Sequence, residues 1–243
     1  MSSLFTYAMD RGHYEGQNPA HAKLPDGLPQ SESDTGAYSL AQVDRLISLL
    51  PDPRDQVIVA LAGKGGFRKG ELAGLRWPDY CRDGEEAFIK VERSVWEGIE
   101  GVPKSKTSKA SVPLVPSVAH MLDSYREYCG NPTDGWMFPA MGSKKGKPIN
   151  LANLARRTLR PIMQREGIPS KDLWHSFRRG LATILYDMGA NEKTIQAILR
   201  HASTDTTRKH YVKALNERKR EAVNMLDQPG ATQEPAPKNL IVQ

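Results

Sequence analysis

The sequence predicts a mostly α-helical fold carrying one small antiparallel β-sheet, an α+β domain. Three observations carry that expectation. Between about residues 38 and 227, apolar residues recur at helical spacing in most segments, and Gly, Pro or Asn separate one segment from the next. Two short segments, Ala87 to Val91 and Ser111 to Leu114, alternate like half-buried strands instead. The third is size: 243 residues bury a proper core without staples, and the two cysteines, Cys81 and Cys129, match no CxxC or Cys/His zinc spacing.

The elements follow in chain order. Leu4 to Arg11 has the length of one or two helical turns, too short to fold alone. Residues 17 to 36 concentrate Pro, Gly, Ser and polar residues without periodicity, as a linker does. Ser39 with Gln42 three positions later forms a capping-box signal, and Leu40, Val43, Leu46, Ile47 and Leu50 then keep helical spacing. A second helix is expected over Arg54 to Leu61, and a third over Lys69 to Leu75, after the break at Gly63-Lys64-Gly65-Gly66. Those glycines are not a phosphate loop, because the GK of GKGGFRKG is followed by Gly rather than Ser or Thr. Beyond the two strands, helices are expected at Val118 to Tyr128, Leu151 to Gln164, His175 to Met188, Glu192 to Leu199 and Thr206 to Met225. Residues 228 to 243 read as a flexible C-terminal tail ending in an apolar Leu240-Ile241-Val242 anchor. The chain therefore divides into residues 1–37, 38–227 and 228–243.

No apolar run approaches the roughly 18 to 20 residues that cross a bilayer, and the N-terminus lacks a signal-peptide pattern. The expectation is a soluble cytoplasmic protein without a membrane partner. Lys+Arg 34 against Asp+Glu 28 leaves a net charge of +6, an excess that favours nucleic acid or another polyanion.

Within the helix expected at 175 to 188, His175 and Arg178 stand at i, i+3 and share a face. Phe177, Leu181, Ile184, Leu185 and Met188 are the expected buried stripe, which leaves the His-Arg pair on another face. Further on, Arg200-His201 is followed by Thr206-Thr207 and, ten residues after His201, by Tyr211. Upstream lie Arg68-Lys69-Gly70-Glu71-Leu72 with Leu75-Arg76-Trp77-Pro78-Asp79, then Lys104-Ser105-Lys106-Thr107-Ser108-Lys109 before Val112-Pro113-Leu114, and Trp136-Met137-Phe138-Pro139. This ordered set of Arg, Lys, HxxR, His and Tyr resembles the catalytic domain of the tyrosine recombinases, the phage-integrase family, over about residues 38 to 227. One departure is Arg200, where the family usually has Gly. Another is at the front, where Leu4 to Pro19 resembles only the last helix of the family's N-terminal core-binding domain, so the chain reads as the catalytic half.

The resemblance implies a site-specific recombinase that cleaves and rejoins DNA through a 3′-phosphotyrosyl intermediate. It makes Tyr211 the nucleophile, Arg68 and Arg178 the phosphate-binding guanidiniums, Lys106 the acid for the departing 5′-oxygen, His175 an acid/base and phosphate contact, and His201 a hydrogen-bond donor to the phosphate. Lys104 and Lys109 stand beside Lys106 as alternative acids. Glu71 supports the site from behind. No metal and no cofactor are implied. The chemistry suits these groups, since a phenol with a pKa near 10 needs help to lose its proton and positioned guanidiniums stabilise the charge that builds on phosphate oxygens. Lys104, Lys109, Lys144, Lys145, Arg156, Arg160 and Arg208 are candidate contacts to the DNA backbone. The implied partners are a double-stranded recombination site, three further copies in a homotetrameric synaptic complex formed from monomers, and accessory DNA-bending proteins, in a bacterial or phage-encoded setting. Two alternatives remain from the residues: a type IB topoisomerase, which uses the same tyrosyl chemistry, and a regulator reading Glu192 to Tyr211 as a helix-turn-helix.

Overall fold

The computed structural model describes residues 2–21, 36–101, 111–140, 142 and 146–200. They form two units, one within Met1–Asp34 and one within Thr35–Gln243. The first holds helix α1 (Ser2–Asp10) and a 3-10 turn at Pro19–His21, with Phe5 edge-on to Tyr14 and Asn18 Nδ2 donating to Thr6 Oγ1 at 3.2 Å. The rest of this section concerns the second unit.

Its first two helices begin where caps hold otherwise orphaned N–H groups. At α2 (Leu40–Leu49), Ser39 Oγ accepts from Gln42 N–H at 3.2 Å and Gln42 Oε1 accepts from Ser39 N–H at 3.0 Å, the reciprocal pair expected from the spacing. At α3 (Pro53–Gly65), Asp52 caps and Pro53 supplies a first position that needs no N–H. The helix runs one turn longer than the sequence indicates and ends at Gly66 in the left-handed region, φ +62°. From Val57 to Gly63 every residue is buried, so α3 is apolar nearly all round and forms the centre of the core. Helices α2, α5 (Pro116–Tyr128) and α8 (Leu173–Asp187) pack around it. Gly63 permits the closest of these approaches, since a Cβ there would sit 2.6 Å from Val43 Cγ1.

Helix α4 (Lys69–Ala73) is shorter than expected, stopping at Gly74. The sheet region is richer than expected. Strands β1 (Tyr80–Asp83), β2 (Glu86–Lys90) and β5 (Ser111–Pro113) form an antiparallel sheet in the order β1-β2-β5, pairing Tyr80 with Ile89 and Ile89 with Val112. A separate hairpin, β3 (Ser94–Trp96) and β4 (Ile99–Gly101), pairs Trp96 with Ile99 around Glu97-Gly98, both at positive φ as a two-residue hairpin turn requires. Strands β1, β3 and β4 are absent from the sequence expectation.

The helix expected over 151–164 is not continuous. It comprises α6 (Leu151–Leu154), a π turn (Ala155–Leu159) and α7 (Arg160–Arg165). Pro161 offers no N–H to the helical ladder, and Arg160 N–H reaches back to Ala155 O, one residue beyond the α pattern. In α8 the expected apolar stripe is also corrected. Phe177 and Leu181 are buried, Ile184 and Leu185 are half-buried, and Met188 is 72 % exposed. Arg178, which the expected stripe leaves on another face, is itself buried at 6 %. Helix α9 (Glu192–Leu199) begins at an Asn191 cap and has the expected bounds. Among the described residues, no helix is long and apolar enough to cross a membrane.

Candidate functional site

The RxxE spacing at Arg68–Glu71 produces a corner between α3 and α4. After Gly66 turns the chain, Arg68 is the N-cap of α4 and Glu71 its third residue, so the carboxylate folds back on the helix start. Glu71 Oε2 accepts the Arg68 main-chain N–H at 2.9 Å while Oε1 takes Arg68 Nη1 at 2.6 Å. A helix N-terminus suits a carboxylate in any case. What the spacing alone does not reveal is burial, for Glu71 is 2 % exposed and the pair is no surface ion pair.

A third group completes the corner. Arg200, the left-handed C-cap of α9 at φ +55°, turns its side chain inward and sends Nη2 to Glu71 Oε2 at 2.7 Å. Its main-chain carbonyl accepts Arg68 Nη2 at 2.7 Å, and its guanidinium lies 5.3 Å from the Phe67 ring centre. The Arg-for-Gly departure therefore leaves the backbone in the conformation glycine favours and adds a buried charge. Arg178, from α8, donates to Gly66 O, and Arg200 Nη2 lies 3.5 Å from the same carbonyl. Burial pushes the Glu71 carboxyl up, but Arg200 and the bonds from Arg68 outweigh it and hold the group below its ordinary range. Burial, then the nearby Arg68 and Arg200 guanidiniums, push Arg178 down, with Glu71 opposing. Arg200 is pushed down by burial against the same carboxylate. Two guanidiniums, those of Arg68 and Arg200, thus share one carboxylate with Arg178 beside them, and an anion in front of them would find uncompensated positive charge.

In front of that corner lies a cleft of about 950 Å³. Arg68, Glu71, His175 and Arg178 all line it, as do Arg156 and Arg160 from either end of the π-turn region. His175 is the third residue of α8, its side chain 74 % exposed, with Nδ1 3.3 Å from Asp172 Oδ1. Asp172 is itself fixed by Arg179 Nη1 at 3.0 Å. Gly70 allows the β3–β4 hairpin to cross α4, since a Cβ there would meet Ser94 Oγ at 2.3 Å, and this crossing brings Trp96 to the cleft. Trp96 is 66 % exposed, with Lys69 Nζ 5.3 Å from its ring centre.

The structure therefore brings together Arg68, Glu71, Arg156, Arg160, His175 and Arg178 from the sequence reading. Lys104, Lys106, Lys109, Lys144, Lys145, His201, Arg208 and Tyr211 lie outside the described residues, as do the helix expected at 206–225 and the tail at 228–243. Sequence reasoning missed Lys69, Trp96, Lys171 and Asp172 as cleft residues and Arg200 as the partner of Glu71. Asp172 stood three residues before His175, a spacing that could have signalled it.

Residues 39–218 match the model of the phage integrase family. The chain is 27 % identical to a tyrosine recombinase XerC-like protein of Caldanaerobacter subterraneus subsp. tengcongensis, over 93 % of this chain and 63 % of that one. It is 32 % identical to the tyrosine recombinase XerC of Brucella suis biovar 1, over 76 % of this chain and 55 % of the relative. It thus spans less than two thirds of the length of these relatives. In fold it is similar to the Tn1549 transposon integrase solved with transposon right end DNA, with a TM-score of 0.67, 21 % identity, and coverage of 91 % of this chain and 76 % of that one. It is likewise similar to the XerH recombinase in its post-cleavage complex with a palindromic difH substrate, with a TM-score of 0.63, 18 % identity, and coverage of 93 % and 64 %. The family match takes in both the Arg68 corner and the 192–211 segment, which a lone helix-turn-helix reading would leave unconnected. With its motifs in order and its fold shared, the chain belongs to the phage integrase family.

Proposed function

We propose that this chain is the catalytic part of a site-specific DNA recombinase of the tyrosine type. The observation that carries the reading is the convergence of Arg68, His175 and Arg178 on one cleft from distant parts of the sequence, with the buried Glu71 carboxylate held on Arg68. In the reaction the Tyr211 oxygen attacks a backbone phosphorus, a P–O bond to Tyr211 forms and the P–O5′ bond breaks. The phosphodiester energy is kept in the tyrosyl phosphate, and attack by a 5′-hydroxyl reverses the step and frees the tyrosine. Arg68 and Arg178 hold the non-bridging oxygens as charge builds on them, and His175, exposed at the cleft with Asp172 beside one ring nitrogen, supplies a further contact or proton. Lys106 protonates the departing 5′-oxygen, with Lys104 and Lys109 as its alternatives, and His201 donates to the phosphate. Arg156, Arg160, Lys144, Lys145 and Arg208 follow the DNA backbone. Four copies on two recombination sites, aided by DNA-bending proteins, make the strand-exchanging assembly, in the bacterial cytoplasm.

A nicked suicide duplex carrying the recombination site, resolved on a denaturing gel after incubation, tests the reading. A covalent protein–DNA adduct is expected with Tyr211 and none with Tyr211→Phe. An adduct that persists in Tyr211→Phe places the nucleophile elsewhere.

A further inference from the structure

We infer that Arg200 is a positioning residue for strand cleavage, holding Arg68 in its phosphate-binding attitude and keeping Glu71 from neutralising it. The inference rests on the recombinase reading and deepens it. Arg200 itself does not line the cleft; it is 4 % exposed and stands behind the Arg68–Glu71 pair. It makes two contacts with that pair from 129 and 132 positions away in sequence, one through its side chain and one through its main-chain carbonyl.

The two contacts do different work. The carbonyl fixes Arg68 Nη2 while Glu71 Oε1 fixes Nη1, so the guanidinium is tethered on both terminal nitrogens while the side chain as a whole stays 36 % exposed at the cleft. The side chain takes the second carboxylate oxygen, Oε2, away from exclusive pairing with Arg68. Without Arg200, Glu71 would offset Arg68 alone. With it, the carboxylate is divided between two cations, and Arg68 and Arg178 face the cleft with net positive charge. A non-Gly residue in the left-handed region is held at a cost, and Arg200 stays there with its guanidinium inside, on Glu71 and over Phe67.

The test uses the full chain and measures, separately, DNA affinity and the single-turnover rate of adduct formation at saturating suicide duplex. Arg200→Gly relaxes the left-handed backbone while deleting the charge. It is expected to remain folded by circular dichroism, to bind DNA within about threefold, and to cleave roughly 10- to 100-fold more slowly, the range that misplacement of a reacting group produces. Arg200→Lys should recover part of the rate. In a Glu71→Gln background, Arg200→Gly should add little further loss, because its effect runs through that carboxylate. Unchanged cleavage by Arg200→Gly overturns the inference, as do losses that multiply in the double variant or a rate that falls only with the folded fraction. Should Arg200→Gly not fold, Arg200→Met, which keeps the buried volume without the charge, is read against the same outcomes. No adduct from the unsubstituted chain overturns the recombinase reading itself, and this inference with it.

Discussion

At Glu71 a carboxylate is buried between guanidiniums, and its worth depends on whether it is ionised. Its folded-state pKa is depressed, so the stability it contributes is present above the unfolded value, near 4.3, and is lost as pH falls through the lower folded value. Breaking a buried ion pair by removing one partner costs about 3–5 kcal/mol. Glu71→Gln should therefore melt well below the unsubstituted chain at neutral pH, and the gap should narrow as pH drops through and below 4. Melting curves across that range check it, and a gap independent of pH would mean that the carboxylate's charge is not what holds the corner. The same residue shows what spacing could and could not reveal. Arg68 and Glu71 at i, i+3 are legible as a pair in any helix start. Arg200 is not, because its side chain meets them only through tertiary approach, and nothing in Ile198-Leu199-Arg200 distinguishes an inward arginine from an outward one.

Elements whose ends are set by local chemistry were readable, and those set by partners were not. Ser39 announces α2 because a cap is a short-range bond. Tyr80–Asp83 and Ile99–Gly101 carry no alternation, and each is a strand only because a neighbour pairs with it. The π turn before Pro161 likewise reads as plain helix until the missing N–H is followed to its consequence. Helix α8 carries a comparable hidden constraint. A Cβ at Gly180 would lie 2.1 Å from Tyr38 O, and that chain is tied to α8 by Tyr38 N–H donating to Ser176 O at 3.3 Å and by Arg179 Nε donating to Gly36 O at 3.2 Å. Backbone on backbone cannot yield as a side-chain tip would. Gly180→Ala should cost about 1–3 kcal/mol or more, lowering Tm by roughly 2–12 °C at this chain length. Gly101→Ala, whose nearest neighbour among the described residues would be 4.0 Å away, should stay within about 0.5 kcal/mol. Equal melting of the two variants would show that the Tyr38 approach adapts freely.

Over the whole molecule the net charge is +6, a modest figure that matters because of where the cations sit. The cleft is lined by six of them, Arg68, Lys69, Arg156, Arg160, Lys171 and Arg178, against Glu71 and Asp172, an excess of four on one described surface. Composition could show the surplus but not its concentration, since these residues come from three separate stretches of chain that only the fold assembles. Concentrated charge of this kind attracts a polyanion and releases its counterions on binding, which makes affinity fall with salt at a slope of about 0.9 per neutralised phosphate. Arg156 and Arg160 are exposed and outside the Arg68–Glu71–Arg200 corner, so replacing them should remove phosphate contacts while sparing the fold. Arg156→Ala and Arg160→Ala should each weaken duplex binding by a similar factor whatever the sequence, and each should flatten the plot of log affinity against log salt by about 0.9. Titrating duplexes of two unrelated sequences at four or more salt concentrations measures both quantities at once. Weaker binding with an unchanged slope would mean that these arginines do not meet phosphates, and a loss confined to one sequence would move them from the backbone to the base edges.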